Sequence, residues 1–147
     1  MSTTVQQVLK SKGGVTHAVT PTATVMQALE LMASQDIGAV LVKEGERLVG
    51  IFTERDYARK VAIKGLSSRD ATVGDLMTPN VCTITPSHTI DDVMSIMTQN
   101  RFRHLPVVDH GKLSGIVTIG DVVKAVIAEH EATIQQLSSY IAGDIAT

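Results

Sequence analysis

The feature that most constrains this chain is an internal repeat. Residues 21–61 align without a gap on residues 86–126, an offset of 65 positions, and ten of the 41 aligned positions are identical. Self-similarity at a fixed offset predicts two copies of one structural unit. The identical pairs are Pro21/Pro86, Thr24/Thr89, Met32/Met97, Val42/Val107, Leu48/Leu113, Gly50/Gly115, Ile51/Ile116, Thr53/Thr118, Asp56/Asp121 and Val61/Val126.

Each copy predicts the element order β-α-β-β-α. In the first copy, Thr16–Thr20 is a short strand candidate, and Thr24–Gln35 has apolar residues at helical spacing behind a capping-box pattern. The apolar run Ala39–Val42 is typical of a buried strand, and Leu48–Thr53 predicts a strand that forms a hairpin with it. A second helix begins at Thr53. The corresponding stretches of the second copy are Cys82–Thr85, the helix capped by Thr89 with Asp92, Leu105–Val108, Leu113–Thr118 and a helix from Thr118.

This order predicts an α/β (α+β) fold in which two β-α-β-β-α repeats pack sheet to sheet with pseudo-two-fold symmetry. A unit of about 60 residues buries too little surface to be stable alone, so we expect the two units to share a core. We place the first repeat at residues 5–64, a small polar linker at 65–72, the second repeat at 73–127 and a C-terminal helix extension at 128–147.

The last helix is predicted to be longer than its counterpart in the first copy. It can run from Asp121 to about Ala142, and its apolar residues form an interrupted face. That face predicts either a contact between two copies of the chain or a helix that folds back on its own core. The residues of this face are Val122, Val126, Ile134, Leu137 and Ile141.

Composition excludes several classes of function. The net charge of −2 gives no general attraction to nucleic acid or to an anionic membrane surface. The single cysteine, Cys82, cannot form an internal disulfide, and no metal-ligand spacing surrounds it. No apolar run is typical of a signal peptide or reaches the roughly 20 residues of a membrane span. We therefore expect a soluble, cytoplasmic protein without a metal site.

The pair Thr-x-x-Asp in GIFTERD (50–56) and GIVTIGD (115–121) has two interpretations. A threonine followed three residues later by an aspartate is a helix cap. The same helix N-terminus favours an anion, and a carboxylate beside it can accept hydrogen bonds from both hydroxyls of a ribose. The two interpretations are compatible, because one carboxylate can do both.

The stretch NRFRH at 100–104 is the densest basic segment. It can be a solvated loop ahead of a strand, but the matching residues 35–39 of the first copy carry no base, which points to specialisation. Arginine makes bidentate phosphate contacts, and His104 can add a donor beside Arg103. We expect Arg101 to face solvent, while Arg55 is a further candidate phosphate contact.

The repeat resembles a tandem pair of CBS domains, named after cystathionine beta-synthase. The residues that carry the resemblance are the two Gly-Ile-x-Thr-x-x-Asp motifs, the Thr-Pro pairs at 20–21 and 85–86, DLMTP at 75–79 and RHLPVV at 103–108. Such pairs bind adenine nucleotides or related adenosyl ligands in two clefts between their units. They often dimerise, and they act as regulatory sensors. Many are attached to an enzyme, channel or transporter, and no such segment occurs in these 147 residues.

The resemblance implies a role for individual residues. Asp56 and Asp121 would hold ribose, and Thr53, Arg55, Arg103, His104 and Thr118 would lie near phosphate. One adenine slot would lie between Ile51, Cys82 and Phe102. The other would lie between Ile116, His17 and Ile37, beside Gly38. Phe102 can equally be ordinary core, and a lone histidine in a strand, such as His17, is usually structural.

The sequence therefore predicts a regulatory protein that binds AMP, ADP, ATP or an NAD-type ligand and signals to a separate, unknown partner. We expect no catalysis and no catalytic cofactor, and a homodimer is the expected assembly. Two alternatives remain. One is a small nucleotide-processing enzyme, which would need a general base or metal carboxylates in the cleft. The other is a dimerisation scaffold with empty clefts, joined through its C-terminal helix.

Overall fold

The computed structural model describes residues 3–146, with side chains described up to residue 132 and at residues 135 and 136. Ile134, Leu137 and Ile141 of the predicted apolar face thus have side chains outside the described residues. The helices and strands are α1 (Val5–Lys12), β1 (Ala18–Val19), α2 (Val25–Gln35), β2 (Ala39–Glu44), β3 (Arg47–Thr53), α3 (Glu54–Asp56), which continues as a π-helix (Tyr57–Ala62), α4 (Val73–Leu76), β4 (Thr78–Pro79), α5 (Ile90–Asn100), β5 (His104–Asp109), β6 (Lys112–Thr118) and α6 (Ile119–Ala146).

The predicted mixed fold with two repeated units is confirmed. Strands β1 to β4 form one sheet in that order, with β1 parallel to β2 and the hairpin β2–β3 antiparallel. Strands β5 and β6 form the matching hairpin of the second unit. Both predicted capping boxes are present, with Thr24 and Thr89 accepting from the backbone N–H groups of Gln27 and Asp92 at 3.1 and 3.2 Å.

Two details of the sheets differ from the sequence prediction. The stretch Cys82–Thr85 is not a full strand, because only Ile84 pairs with the sheet, through a single parallel bridge to Val107. This bridge corresponds to the Val19–Val42 pair of the first unit, 65 residues earlier. Strand β4 was not predicted, and it extends the first sheet beyond β3.

Among the side chains that the structure describes, apolar residues form one cluster in each repeat and a third between the repeats. Val25, Met32 and Phe52 belong to the cluster of the first unit, and Ile90, Met97 and Val117 belong to that of the second. A third cluster joins the units, because Leu41 and Ile51 of the first sheet pack with Leu113 and Ile116 of the second. The shared cluster gives the sheet-to-sheet contact that two small units need for stability.

Helix α1 lies within residues 5–64, the predicted first repeat, but packs against the second unit. Val5 is 0% exposed in the core of the second unit, and its N–H donates to the carbonyl of His88 at 2.8 Å. In the first unit, Val73 of helix α4 has the equivalent place, with its N–H donating to the carbonyl of Ala23 at 2.8 Å. Bridges Thr4–Thr89 and Thr24–Thr72 complete the correspondence. Each unit is therefore closed by a short helix from outside its β-α-β-β-α segment.

Candidate functional site

The first Thr-x-x-Asp motif lies where β3 ends and α3 begins. Thr53 caps the helix through its hydroxyl, which accepts from the N–H of Asp56 at 3.1 Å. The Asp56 carboxylate accepts in return from the N–H of Thr53 at 3.0 Å, so a capping box is present. Asp56 is only 7% exposed, and it also accepts from Thr78 at 3.2 Å and pairs with Lys60 at 3.1 Å. The cap fixes the carboxylate in one orientation.

The second motif has the same cap but a different partner. The Asp121 carboxylate accepts from the N–H of Thr118 at 2.9 Å and from the Lys12 ammonium at 2.6 Å. Lys12 also donates to the carbonyl of Ile116 at 2.9 Å. Burial raises the pKa of the Asp121 carboxyl, but the hydrogen bonds from Lys12 and Thr118 and the Lys12 charge together hold this pKa below its usual value. Asp121 is thus an ionised partner of Lys12 at neutral pH.

A first cavity of about 470 Å³ opens beside Asp56. Eight of the residues predicted for the two sites line it, and they come from both units. It also brings in Glu54, Thr78, Asn100 and Arg101, which the prediction did not place in a site. The eight predicted residues are Gly38, Ile51, Thr53, Arg55, Asp56, Phe102, Arg103 and His104.

A second cavity of about 550 Å³ lies on the other side of His104. It is lined by the predicted residues His17, Ile37, Gly38, His104, Ile116 and Thr118. Lys12, Asp36 and Gly120 line it as well, and none of them was predicted as a site residue. Asp121 is not among the lining residues, although Lys12, its partner, is. Cys82 lines neither cavity and instead packs against the core of the second unit.

The basic stretch 100–104 turns sharply at its second residue. Arg101 ends helix α5 in the left-handed conformation, with φ 57°, and its carbonyl accepts from Arg55 at 3.4 Å. Arg101 is exposed, as expected, but it also lines the first cavity. Arginines 55, 101 and 103 therefore converge on one cavity from two units.

His104 stands between the two cavities. It is the first residue of β5, and a Cβ atom placed on Gly38 would lie 3.7 Å from its Nε2. Burial lowers the pKa of His104, and the charges of Lys12 and Arg103 lower it further against the opposing effect of Asp121. The imidazole is therefore neutral at pH 7 and can take up a proton when an anion arrives.

Comparison with known proteins decides the family. A family model described as "CBS domain" matches residues 16–63 and 73–128. The chain belongs to the CBS-domain family. The chain is 44% identical over 151 residues to the mitochondrial CBS domain-containing protein CBSX3 of Arabidopsis thaliana. The alignment covers 97% of this chain and 73% of that protein.

Solved structures resemble the whole CBS pair. The CBS-domain containing protein ATU1752 from Agrobacterium tumefaciens matches with a TM-score of 0.80 and 42% identity, covering 84% of this chain and 98% of that one. The structure of CBSX2 in complex with AMP matches with a TM-score of 0.68 and 31% identity, covering 87% of this chain and 98% of that one. The second similarity concerns a member of the family that holds an adenine nucleotide.

Two features are absent from the part of the chain that the structure describes. Among the described residues, no helix is long and apolar enough to cross a bilayer. Across the same part of the chain, no three His, Cys, Asp or Glu side chains are grouped so that they could hold a metal ion. The cytoplasmic location stays a prediction, since CBSX3 is named as mitochondrial.

The residue that sequence reasoning missed most clearly is Lys12. Lys12 lies outside the repeat of offset 65, so the repeat does not mark it. A signal was nevertheless present, since TVQQVL at 4–9 resembles TVGDLM at 72–77 at a different offset. That similarity would have indicated a second closing helix whose end approaches the second cleft.

Proposed function

We propose that this CBS pair is a regulatory protein that binds adenine nucleotides in the clefts between its units. The observation that carries the proposal is the first cavity, where a buried carboxylate and three arginines face the same space. A carboxylate that accepts from both ribose hydroxyls and arginines that bind phosphate are complementary to a 5′-nucleotide.

The roles within the first cleft follow from position. Asp56 would accept from the ribose hydroxyls, and Arg55, Arg103 and His104 would contact phosphate. Adenine would lie between Ile51, which is nearly buried, and Phe102, which is 38% exposed. A large aromatic side chain left partly exposed in a cavity wall offers a stacking surface.

The second cleft offers a comparable space with different chemistry. Ile37 and Ile116 would flank an adenine beside His17, and Thr118 would lie near phosphate at the start of helix α6. Because Lys12 covers Asp121, a ribose could reach that carboxylate only by displacing the ammonium. The two clefts should therefore differ in affinity.

The test is isothermal titration calorimetry of the folded protein with AMP, ADP, ATP and NAD. We expect at least one of these ligands to bind with a sub-millimolar dissociation constant and to raise the melting temperature, because a ligand of the folded state stabilises it. Absence of binding by all four would remove the proposal. Product formed from ATP and magnesium would instead favour the nucleotide-processing enzyme.

Neutral His104 gives the proposal a pH dependence. A phosphate beside the imidazole favours its protonated form, so binding of AMP should take up as much as about one proton at pH 7. Since the pKa of free His104 is lowered, affinity should rise as pH falls from 7.5 towards 6. Calorimetry in buffers of different ionisation enthalpy measures the uptake.

The variant His104→Gln should reduce this proton uptake to the part due to the nucleotide phosphate itself. The matched control is His130→Gln, because His130 lies on an exposed part of helix α6 away from both cavities. Equal uptake in the wild type and in His104→Gln would contradict the role of His104.

We also propose that the chain forms a homodimer through the start of helix α6. Val123 is 51% exposed, and Ile119 and Ile127 beside it are also exposed, although all three are apolar. Together with Met94 of α5 they line an apolar groove of about 350 Å³. A self-complementary apolar face of this kind suits a two-fold contact.

The variant Val123→Glu should convert the dimer into a monomer, because the contact would then bury two carboxylates without partners. Light scattering after size-exclusion chromatography measures the mass. The control is Ile63→Glu, because Ile63 is 79% exposed and lies outside the groove. A monomeric wild type would contradict the proposed dimer directly.

We further propose that the protein acts on a separate partner in the cytoplasm. The clefts lie between two units that share one apolar cluster, so a ligand held by both units changes how firmly they are joined. A partner that contacts both units would sense that change.

A further inference from the structure

The two clefts present opposite charges at equivalent positions. In the first, Asp56 lines the cavity and Lys60, which pairs with it at 3.1 Å, does not. In the second, Lys12 lines the cavity and Asp121, which pairs with it at 2.6 Å, does not. Each cleft thus has an Asp–Lys ion pair, but the member that faces the cavity is reversed.

The reversal follows from the element that carries each lysine. Lys60 lies four residues after Asp56 on the same helical segment, so it approaches the carboxylate from the helix side. Lys12 is the last residue of α1 and reaches Asp121 across 109 positions of sequence. The equivalent of Lys60 at the offset of 65 is Ala125, so the second motif has no lysine at that position.

Lys12 is held in a defined place. Helix α1 is anchored in the core of the second unit through Val5, with Leu9 packed beside it. The ammonium donates to Asp121 and to the carbonyl of Ile116, at 2.6 and 2.9 Å. An ammonium has three N–H donors, so one remains for a ligand.

The remaining charges of the two cavities also differ. Three arginines line the first cavity, whereas no arginine lines the second in the part of the chain that the structure describes. Lys12 is the cation of the second cavity, and Asp36 is its acid. Lys12 therefore lies at the position equivalent to that of Asp56, the residue proposed for the ribose of the first cleft.

The chemistry at that position selects the ligand. A carboxylate accepts hydrogen bonds from the two hydroxyls of an unmodified ribose, but an ammonium only donates. Nucleotide-binding sites use this difference, with an acid for the free ribose hydroxyl and a cation for a phosphorylated one. Lys12 is therefore suited to an anionic group carried by the ribose.

We propose that the second cleft takes an adenine nucleotide phosphorylated on the ribose 2′ or 3′ oxygen, with Lys12 as the residue that sets this specificity. The proposal rests on the adenine-nucleotide function proposed above, because it assumes that the adenine occupies the second cavity. The first cleft presents the Asp56 carboxylate at the same position, which disfavours a phosphate on the ribose there.

The test compares 5′-AMP, 2′-AMP and 3′-AMP by calorimetry and by amide chemical shifts. Gly120 reports on the second cavity, and the side-chain amide of Asn100 reports on the first. We expect 2′-AMP or 3′-AMP to bind at the second cleft at least about tenfold more tightly than 5′-AMP, with the reverse order at the first.

Three variants isolate Lys12. Lys12→Met should abolish the preference for the ribose phosphate, and Lys12→Arg should keep it. Lys10→Met is the matched control, because Lys10 lies on the same helix, is exposed and lines neither cavity. Melting temperatures verify that α1 remains packed in each variant.

Two results would overturn the proposal. One is equal affinity of the second cleft for the three isomers. The other is tighter binding of 5′-AMP at the second cleft in Lys12→Met, which would make Lys12 only a cover over Asp121. Binding of 5′-AMP at the first cleft is the internal reference, because its absence would remove the adenine-nucleotide function itself and not only the specificity of the second cleft.

Discussion

Replacing Asp56 with alanine is expected to weaken binding of AMP at the first cleft by about a hundredfold. The carboxylate would make two charge-assisted hydrogen bonds to the ribose, and losing them costs about 1.5 kcal/mol each, or about 3 kcal/mol in all. The capping box holds this carboxylate in place before any ligand arrives, because Thr53 and Thr78 both donate to it. Little of the binding energy is then spent on ordering it.

Asp56→Asn separates the charge from the shape of the side chain. It should retain most of the fold and still lose most of the affinity, since an amide cannot accept from both hydroxyls through two equivalent oxygens. Calorimetry gives the affinity, and thermal melting gives the stability of each variant.

The matched control for the cap is Asp92→Asn. Asp92 has the same place in the capping box of α5 as Asp56 has in its own, but it is exposed and lines neither cavity. It should change stability slightly and binding not at all. Equal losses of affinity in Asp56→Asn and Asp92→Asn would mean that the aspartate of the Thr-x-x-Asp motif only caps its helix.

Replacing Val5 with aspartate is expected to destabilise the protein by more than about 3 kcal/mol, since it places an unpaired charge in a closed apolar core. Val5 is 0% exposed and packs with Ile90, Val93 and Val117, which all lie in the second unit. Chemical denaturation measures the loss of free energy of unfolding.

The matched variant is Val73→Asp, because Val73 has the equivalent place in the first unit. Hydrogen exchange should show loss of protection in β5 and β6 for Val5→Asp and in β2 and β3 for Val73→Asp. Gln6→Asp, on the exposed side of α1, is the control and should be nearly neutral. Loss of protection in β2 and β3 alone after Val5→Asp would contradict the packing of α1 on the second unit.

Much of the fold could be predicted from the sequence because the decisive patterns are local and occur twice. The helical spacing after Thr24, the apolar run at Ala39–Val42 and the hairpin after it each recur 65 residues later, so each copy supports the assignment of the other. The capping boxes depend on residues three apart, and their geometry is fixed by the helix itself.

The parts that escaped prediction depend on contacts far apart in the chain. Helix α1 resembles α4 only at an offset of 68, so the gapless comparison at 65 does not reveal it. Strand β4 has two residues, which is too short for a period. Cys82–Thr85 has the composition of a strand, but only Ile84 finds a partner in the sheet.

The candidate site could likewise be predicted where its signals are local, and not where it depends on contacts between distant positions. Sequence indicated the residues that line the first cavity from β3, α3 and the basic stretch, because the motif and its asymmetry are readable in the chain. The sequence did not indicate that Lys12 forms an ion pair with the Asp121 carboxylate, since the two residues are 109 positions apart. Asp121 and Asp56 are identical in sequence pattern, and the partner lysine determines which member of each ion pair faces the cavity.

The packing of α1 on the second unit also determines the order in which the two units can fold during synthesis. Helix α1 leaves the ribosome before either unit, yet its partners Val93 and Val117 are made roughly a hundred residues later. The first core needs only residues up to α4 and can close while translation continues. Val5 and Leu9 stay without a core until β6 emerges, so α1 is made before the first unit but packs after it. A pause in translation before β6 would therefore leave Val5 and Leu9 of α1 exposed to chaperones, beside a first unit that is already folded.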